Sequence, residues 1–390
     1  MALVSFQRAM LLALVMVVVG LSGTVSLQAR SASAAPAQDL TARVECKDDS
    51  LSVTFSWKAS GDGSQWLDVG TDAGFAPGSF AGTGPLSSTQ GSFGWEDPSP
   101  NTSYFARINT LDGDAWSASS TLTLNTPPCG TPAPSAGMLE LQTRLEQQIA
   151  SANFRVAVAV TDLQTGETIS VNGNRQQFTG CTMNLFALMQ AVVDLQNGQY
   201  DESRVGELIS ATIYGSNPVT ARDILLISGD GDIVKAMNKI NGLIESMGMT
   251  DTFYDHPPAY WPAPSLRNIS NMTTALDVNR ALSALWHGSV VSFEWRDYLF
   301  EKMTGVKPGL NYLIPAGVGD GVVGHKNGFF WLPDGWIDND AGIVMFQRGG
   351  QTYAYAITLL AEAIPGEYYD IPMGQAVSSI VWEHFSAKYP

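Results

Sequence analysis

The chain has 390 residues, 45% of them hydrophobic and 15% charged, which is the composition of a folded protein large enough for two domains. Its formal net charge of −16 repels phosphate backbones and anionic lipid, so nucleic acid is excluded as a partner class. The first 34 residues hold Arg8 and Arg30 and no acid. Residues 9–21 form an apolar run too short for an ordinary membrane span, and Ala32-Ser33-Ala34 offers a small-residue cleavage site. Residues 1–34 are therefore expected to be a secretory signal peptide, with a single anchoring helix as the alternative. No cysteine lies near this end for lipid attachment, and no later stretch is apolar enough to span a bilayer. The mature chain is expected to be secreted or extracytoplasmic, without a transmembrane segment, and monomeric.

Residues 40–127 read as all-β. Leu51-Ser52-Val53-Thr54-Phe55-Ser56-Trp57 alternates apolar and polar side chains, as a half-buried strand does, after a turn at Asp48-Asp49-Ser50. Short strands are predicted at 66–70, 104–110 and 121–125, separated by Gly, Ser, Asp and Pro, and together they suggest a β-sandwich. Exposed Trp95 or Trp116 is a candidate sugar platform, although packing is the commoner fate of Trp in a small sandwich. Residues 128–137 are a stiff Pro-rich linker.

The remainder, 138–390, predicts an α+β domain. Leu139, Leu141, Leu145 and Ile149 fall close to one helical face. A strand at 156–161 turns back at Asp162-Leu163-Gln164-Thr165-Gly166-Glu167 into a return strand at 168–171. Helices are predicted at 181–197, 220–227, 232–247, 273–287 and 373–385, and strands at 321–330, 340–348 and 352–360. Strands at both ends with helices between them bring the two ends into one sheet.

Export implies an oxidising compartment, and three cysteines leave one over. Cys46 and Cys129 flank the sandwich and are the expected disulfide pair. Cys181 is then a free thiol, or pairs with another molecule. Of the four histidines, none stands at metal-ligand spacing, and no phosphate loop or cofactor motif is visible, so no cofactor and no metal are expected.

Two resemblances emerge. Phe55-x-Trp57 and Ser99-Pro100-Asn101-Thr102-Ser103-Tyr104-Phe105-Ala106-Arg107-Ile108 resemble the early strand and the proline-to-tyrosine corner of a fibronectin type III-like domain. The region after Leu139 resembles the class A β-lactamases and penicillin-binding serine hydrolases. The carriers are the first hairpin at Val156-Ala157-Val158-Ala159-Val160-Thr161-Asp162, then Thr220-Ala221-Arg222-Asp223 and Gly248-Met249-Thr250-Asp251-Thr252. Next come Asn271-Met272-Thr273-Thr274, Leu313-Ile314-Pro315-Ala316-Gly317, Gly324-His325-Lys326-Asn327-Gly328 and Asp340-Ala341-Gly342-Ile343-Val344. The ordered set is specific; each piece alone is not.

That resemblance implies three motifs. The family's Ser-x-x-Lys, nucleophile and base one helical turn apart, falls at Cys181 and Asn184. A neutral amide accepts no proton, but a thiolate is a competent nucleophile. The second motif, Ser-Asp-Asn, is expected at Gly229-Asp230-Gly231, with both flanking side chains lost and Asp230 kept as a substrate contact. Sliding it to Ser228 restores a hydroxyl but spoils the match to the next helix. The third, Lys-Thr-Gly, is Lys326-Asn327-Gly328, an edge strand whose lysine attracts a carboxylate. Backbone N–H groups of Cys181 and Phe329 are the implied oxyanion hole. Asn327, Phe329, Phe330 and Trp331 are bulky beside a cleft and narrow it. The deacylating glutamate is absent from residues 254–268, where Asp255 and His256 are the only substitutes. His325, on the strand face opposite Lys326, is expected to pack under the sheet.

Three functions follow from the resemblance. The first is a catalytically degenerate scaffold that holds a cell-wall peptide or β-lactam-like ligand. The second is a Cys181-dependent acyl hydrolase, with Lys326 supplying electrostatics. The third is a structural or adhesive secreted protein.

Overall fold

The structure, a computed structural model, describes residues 36–390 except 48–49, 60–62, 77, 97, 100–101, 113–114 and 127–131. The expected signal peptide, the turn at 48–49, Cys129 and much of the linker lie outside the described residues.

Eight strands open the chain: β1 (Gln38–Lys47), β2 (Ser50–Lys58), β3 (Ser64–Gly70), β4 (Phe80–Gly82), β5 (Ser92–Glu96), β6 (Ser103–Asp112), β7 (Ala115–Ala118) and β8 (Leu122–Asn125). One sheet runs β1-β2-β5; the other runs β4-β3-β6-β7, with β8 also paired to β6. The alternation read at 51–57 is real: Leu51, Val53, Phe55 and Trp57 are buried, and the last three share a cluster with Leu67, Ala106, Ile108 and Leu124 of the opposite sheet. That shared core makes the region a β-sandwich. The Tyr104 hydroxyl accepts a hydrogen bond from the Ser99 N–H at 3.0 Å, tying the strand to the corner before it. Trp95 packs inward, its ring 4.8 Å from that of Tyr104. Trp116 is exposed and lies against Trp66.

The second region begins with α1 (Ala136–Ile149), followed by β9 (Arg155–Asp162), β10 (Thr168–Val171) and β11 (Gln177–Phe178). A 3-10 turn (Gly180–Met183) leads into α2 (Asn184–Gln196), α3 (Glu202–Tyr214), α4 (Pro218–Ser228) and α5 (Ile233–Ser246). Then come β12 (Met272–Thr273), α6 (Ala275–Trp286), α7 (Phe293–Met303) and α8 (Ile314–Gly317). The last elements are β13 (Val322–Leu332), β14 (Gly335–Arg348), β15 (Gln351–Glu362) and α9 (Ile371–Lys388). One five-stranded antiparallel sheet, β10-β9-β15-β14-β13, joins both ends of this region as expected.

The sheet is covered on both faces, because alternate residues of its strands are apolar in both directions. Val156, Val158 and Val160 meet α1 and α9 through Leu141, Leu145, Val377, Val381 and Phe385. Ala157 and Ala159 instead accept the close approach of α6 at Ala275. On α1 the buried stripe is Met138, Leu141, Leu145 and Ile149, whereas Leu139, expected inside, is half exposed. Helix α2 is buried on nearly every side, so it is the hub of the helical layer and holds its first residues rigidly. The chain end is clamped to the first hairpin: Lys388 Nζ reaches Asp162 at 2.6 Å and Glu167 at 3.1 Å, and the Tyr389 hydroxyl donates to Asp162.

Candidate active site

The turn that carries Cys181 is fixed from three directions. Asn339 on β14 donates to the carbonyls of Phe178 and Thr179 at 2.8 and 3.1 Å, and its own carbonyl accepts from Ala361 N. The Asn271 carbonyl accepts from the N–H and hydroxyl of Thr179 at 3.3 and 3.2 Å. Gly180 has φ +51°, a conformation suited to glycine, and delivers the chain onto Gly328 of β13. A Cβ on Gly328 would stand 2.5 Å from Thr182 N and 2.8 Å from the Thr179 carbonyl, so only glycine lets the edge strand seat against this turn. Cys181 therefore sits at the start of α2, partly exposed and free of any disulfide.

Lys326 of β13 is fully buried. Its ammonium donates to the Ser216 hydroxyl and, at 2.5 Å, to the Asn327 carbonyl. Burial lowers its pKa to about 8, against the opposing pull of Cys181 and Asp340. A buried ammonium of this kind gives up its proton more readily than one on the surface.

Ser216 stands outside the motifs read in the sequence, and it corrects the placement of the second one. The hydroxyl beside Lys326 belongs to Ser216-Asn217-Pro218, between α3 and α4, not to Gly229-Asp230-Gly231. Gly229 caps the far end of α4. Asp230 is exposed and paired with Lys235 at 2.5 Å, so it does not contact the site. Gly231, at φ +88°, belongs to the same tight turn. Ser228, the alternative register, is buried and bonded to Asp194. Ser216 itself holds φ +54°, a strained backbone for serine that aims its side chain at the lysine. Asn217 is used as the N-cap of α4, accepting from Val219 N at 2.9 Å. The sequence carried the signal: Val205, Ile209 and Ile213 recur at spacing four and define α3, and an Asn N-cap with Pro at the first helical position opens α4.

Asn184 is buried at the first position of α2, its Nδ2 without a partner. Asn327 is buried as well. Phe329 turns from the cleft and stacks on Trp336 and Tyr368 with centroids 4.8 and 5.0 Å apart, while Phe330 and Trp331 are exposed. His325 is buried under the sheet, bonded to Asp340 at 2.7 Å and Asn311 at 3.0 Å. Asp255 is engaged by its own loop. It accepts from the N–H groups of Arg267 and Ile269 and from the Ser265 hydroxyl, and pins the loop after α5. Although burial works to raise its pKa, those hydrogen bonds hold it below the usual carboxylate range. His256, beside it, donates its backbone N–H to Asn271 Oδ1.

With a thiol at the head of a buried helix, a glycine-seated edge strand and a lysine–serine pair beside it, the region has a β-lactamase-like fold. Residues 204–385 match the family described as Beta-lactamase enzyme family. The solved structure of PBP-A is similar at 16% identity and TM-score 0.54, covering 66% of this chain and 100% of that one. A β-lactamase from Chitinophaga pinensis DSM 2588 is 17% identical, with a TM-score of 0.53 over 63% of this chain and 98% of that one. A representative of class A β-lactamase from Bacteroides cellulosilyticus DSM 14838 is also 17% identical, at TM-score 0.53 over 65% of this chain and 99% of that one. At these identities the likeness establishes the fold. No curated protein matches the sequence.

Proposed function

We propose that this is a secreted, monomeric, penicillin-binding-type protein in which Cys181 captures an acyl group from a β-lactam or cell-wall peptide and releases it slowly. The observation that carries the reading is the Ser216 hydroxyl bonded to the buried Lys326, on the strand whose Gly328 seats against the Cys181 turn. In the proposed step Sγ adds to the carbonyl carbon and the C–N bond breaks. The thiol proton passes through Ser216 and Lys326 to the leaving nitrogen. Backbone N–H groups of Cys181 and Phe329 hold the oxyanion. Release is slow because Asn184 is neutral and Asp255 is committed to its loop, so no base activates water.

One acyl-transfer relay is therefore retained and the deacylating base is lost, a narrower degeneracy than the sequence implied. A related observation supports the chemistry: a point mutant of PBP-A has been solved as an acyl-enzyme complex with penicillin G. A labelled penicillin should give a one-to-one adduct by intact mass, absent in Cys181→Ala. Labelling that persists in Cys181→Ala, or no adduct at saturating penicillin, would sink the acyl reading. Non-covalent holding of the same ligands is the second reading, favoured by the amide at Asn184. The Cys46–Cys129 bridge and a fibronectin type III-like identity for the sandwich belong to the same proposal, the latter supported by the Tyr104–Ser99 corner.

A further inference from the structure

The outer face of the second sandwich sheet carries side chains that neither the core nor the reaction at Cys181 uses. The register puts Trp66 of β3 opposite Asn109 of β6, Asp68 opposite Arg107, and Trp116 of β7 opposite Leu111. Cross-strand partners, and residues two apart along a strand, share one face of a sheet. These side chains therefore lie together on the face turned away from Leu67, Ala106 and Ile108 of the core. Trp116 is 61% exposed on the edge strand, and its ring lies 5.0 Å from that of Trp66 at a tilt of 46°. Two indoles side by side in water form a shallow apolar cradle, although packing is the commoner fate of Trp in a small sandwich.

Beside the rings runs a polar row. Asp68 Oδ2 accepts from Asn109 Nδ2 at 2.5 Å and from Arg107 Nε at 3.2 Å. The Arg107 guanidinium is fixed over the Phe75 ring, 4.1 Å from its centroid. Among the described residues, its two terminal nitrogens have no acceptor and Asn109 Oδ1 has no donor. Two strand residues advance about 7 Å, so Asp68 and Arg107 stand one such step from Trp66 and Asn109.

Charge and area select the occupant. Asp68 and Arg107 neutralise each other, so the row offers no free charge to an ionic ligand, and the net charge of −16 turns polyanions away. An indole offers at most about 250 Å², so two partly covered ones fall well short of the roughly 800 Å² per partner of a stable protein interface. A sugar ring needs less. Its axial C–H groups stack on an aromatic face, while its equatorial hydroxyls both donate and accept. We infer that this face binds a neutral β-1,4-linked glycan, its C–H faces on Trp66 and Trp116 and its hydroxyls on Asn109 and Arg107. Equatorial linkages keep successive sugars in one flat ribbon, the shape that two neighbouring indoles can hold.

Calorimetric titration of the full chain with cellohexaose and with chitohexaose, both neutral β-1,4 chains, tests this. Saturable binding of at least one is expected, weakened about 10-fold in Trp116→Ala and about 5-fold in Asn109→Ala. Trp116 is exposed, so its truncation spares the core; should that variant fail to fold, Asn109→Ala, which leaves Asp68 its bond to Arg107, gives the same reading. Trp331→Ala, on exposed β13, and Cys181→Ala should bind as the wild type does. No saturable binding of either chain, unchanged affinity in Trp116→Ala or Asn109→Ala, or a loss that follows Trp331 or Cys181 overturns the inference. So does tighter binding of polygalacturonate, an anionic chain, or a dimer in sedimentation that Trp116→Ala dissolves. The inference rests on the sandwich alone: glycan binding without a penicillin adduct would defeat the acyl reading and leave this one standing.

Discussion

Lys326→Met should change how stability depends on pH, in a direction opposite to ordinary surface lysines. The ammonium is fully buried, and burial takes its pKa from 10.5 to about 8. The unfolded chain keeps this proton until about pH 10.4. Below about pH 8 both states are charged, and the native state carries a constant cost of roughly 3 kcal/mol, from about 1.4 kcal/mol per pKa unit. Between the two values the native lysine is neutral while the unfolded one is still charged, so the cost fades as pH rises. Above both it is gone. Methionine removes the titration and gives up the hydrogen bonds to Ser216 and the Asn327 carbonyl, a pH-independent loss of about 1–3 kcal/mol. Urea unfolding of wild type and variant near pH 7 and again above about pH 10 isolates the effect, because other groups cancel in the difference. Wild type should gain roughly 3 kcal/mol on the variant between the two conditions. A difference that is the same at both pH values would refute the burial cost, and with it the claim that this lysine is held near neutrality for chemistry.

A second pH effect comes from the start of α9. Burial raises Asp370 there to about 6, and both its carboxylate oxygens lack partners. Because the folded carboxyl keeps its proton longer than the unfolded one, stability falls as pH rises from about 4 to about 6, by roughly 3 kcal/mol. Asp370→Asn should remove that fall and raise the melting temperature at neutral pH but not in acid. Equal melting shifts at both pH values would count against it. For the cysteines, thiol titration of the denatured, unreduced chain should find one thiol, at Cys181; finding three would exclude the Cys46–Cys129 bridge.

Much of the architecture is legible because it rests on local patterns. The alternation at 51–57, the hairpin at 156–171 and the three long strands after 320 lie where polarity and turn residues put them. Helices α3, α7 and the short α8 are missing from the predicted set, although the Val205, Ile209, Ile213 spacing of α3 is present. That omission moves the second motif by a whole helix, because Gly229-Asp230-Gly231 keeps the aspartate of the expected pattern and Ser216-Asn217-Pro218 does not.

The sequence by itself determined the cysteine at the head of α2, the Lys326-Asn327-Gly328 edge strand and the want of a lysine at Asn184, since each is a matter of residue type at a local spacing. Only the tertiary structure decided which hydroxyl serves Lys326. Ser216 and Lys326 are far apart in the chain, and they meet because α3 ends, with a strained φ at Ser216, where β13 forms the edge of the sheet. Local periodicity fixes what a residue can do, and long-range packing chooses its partner.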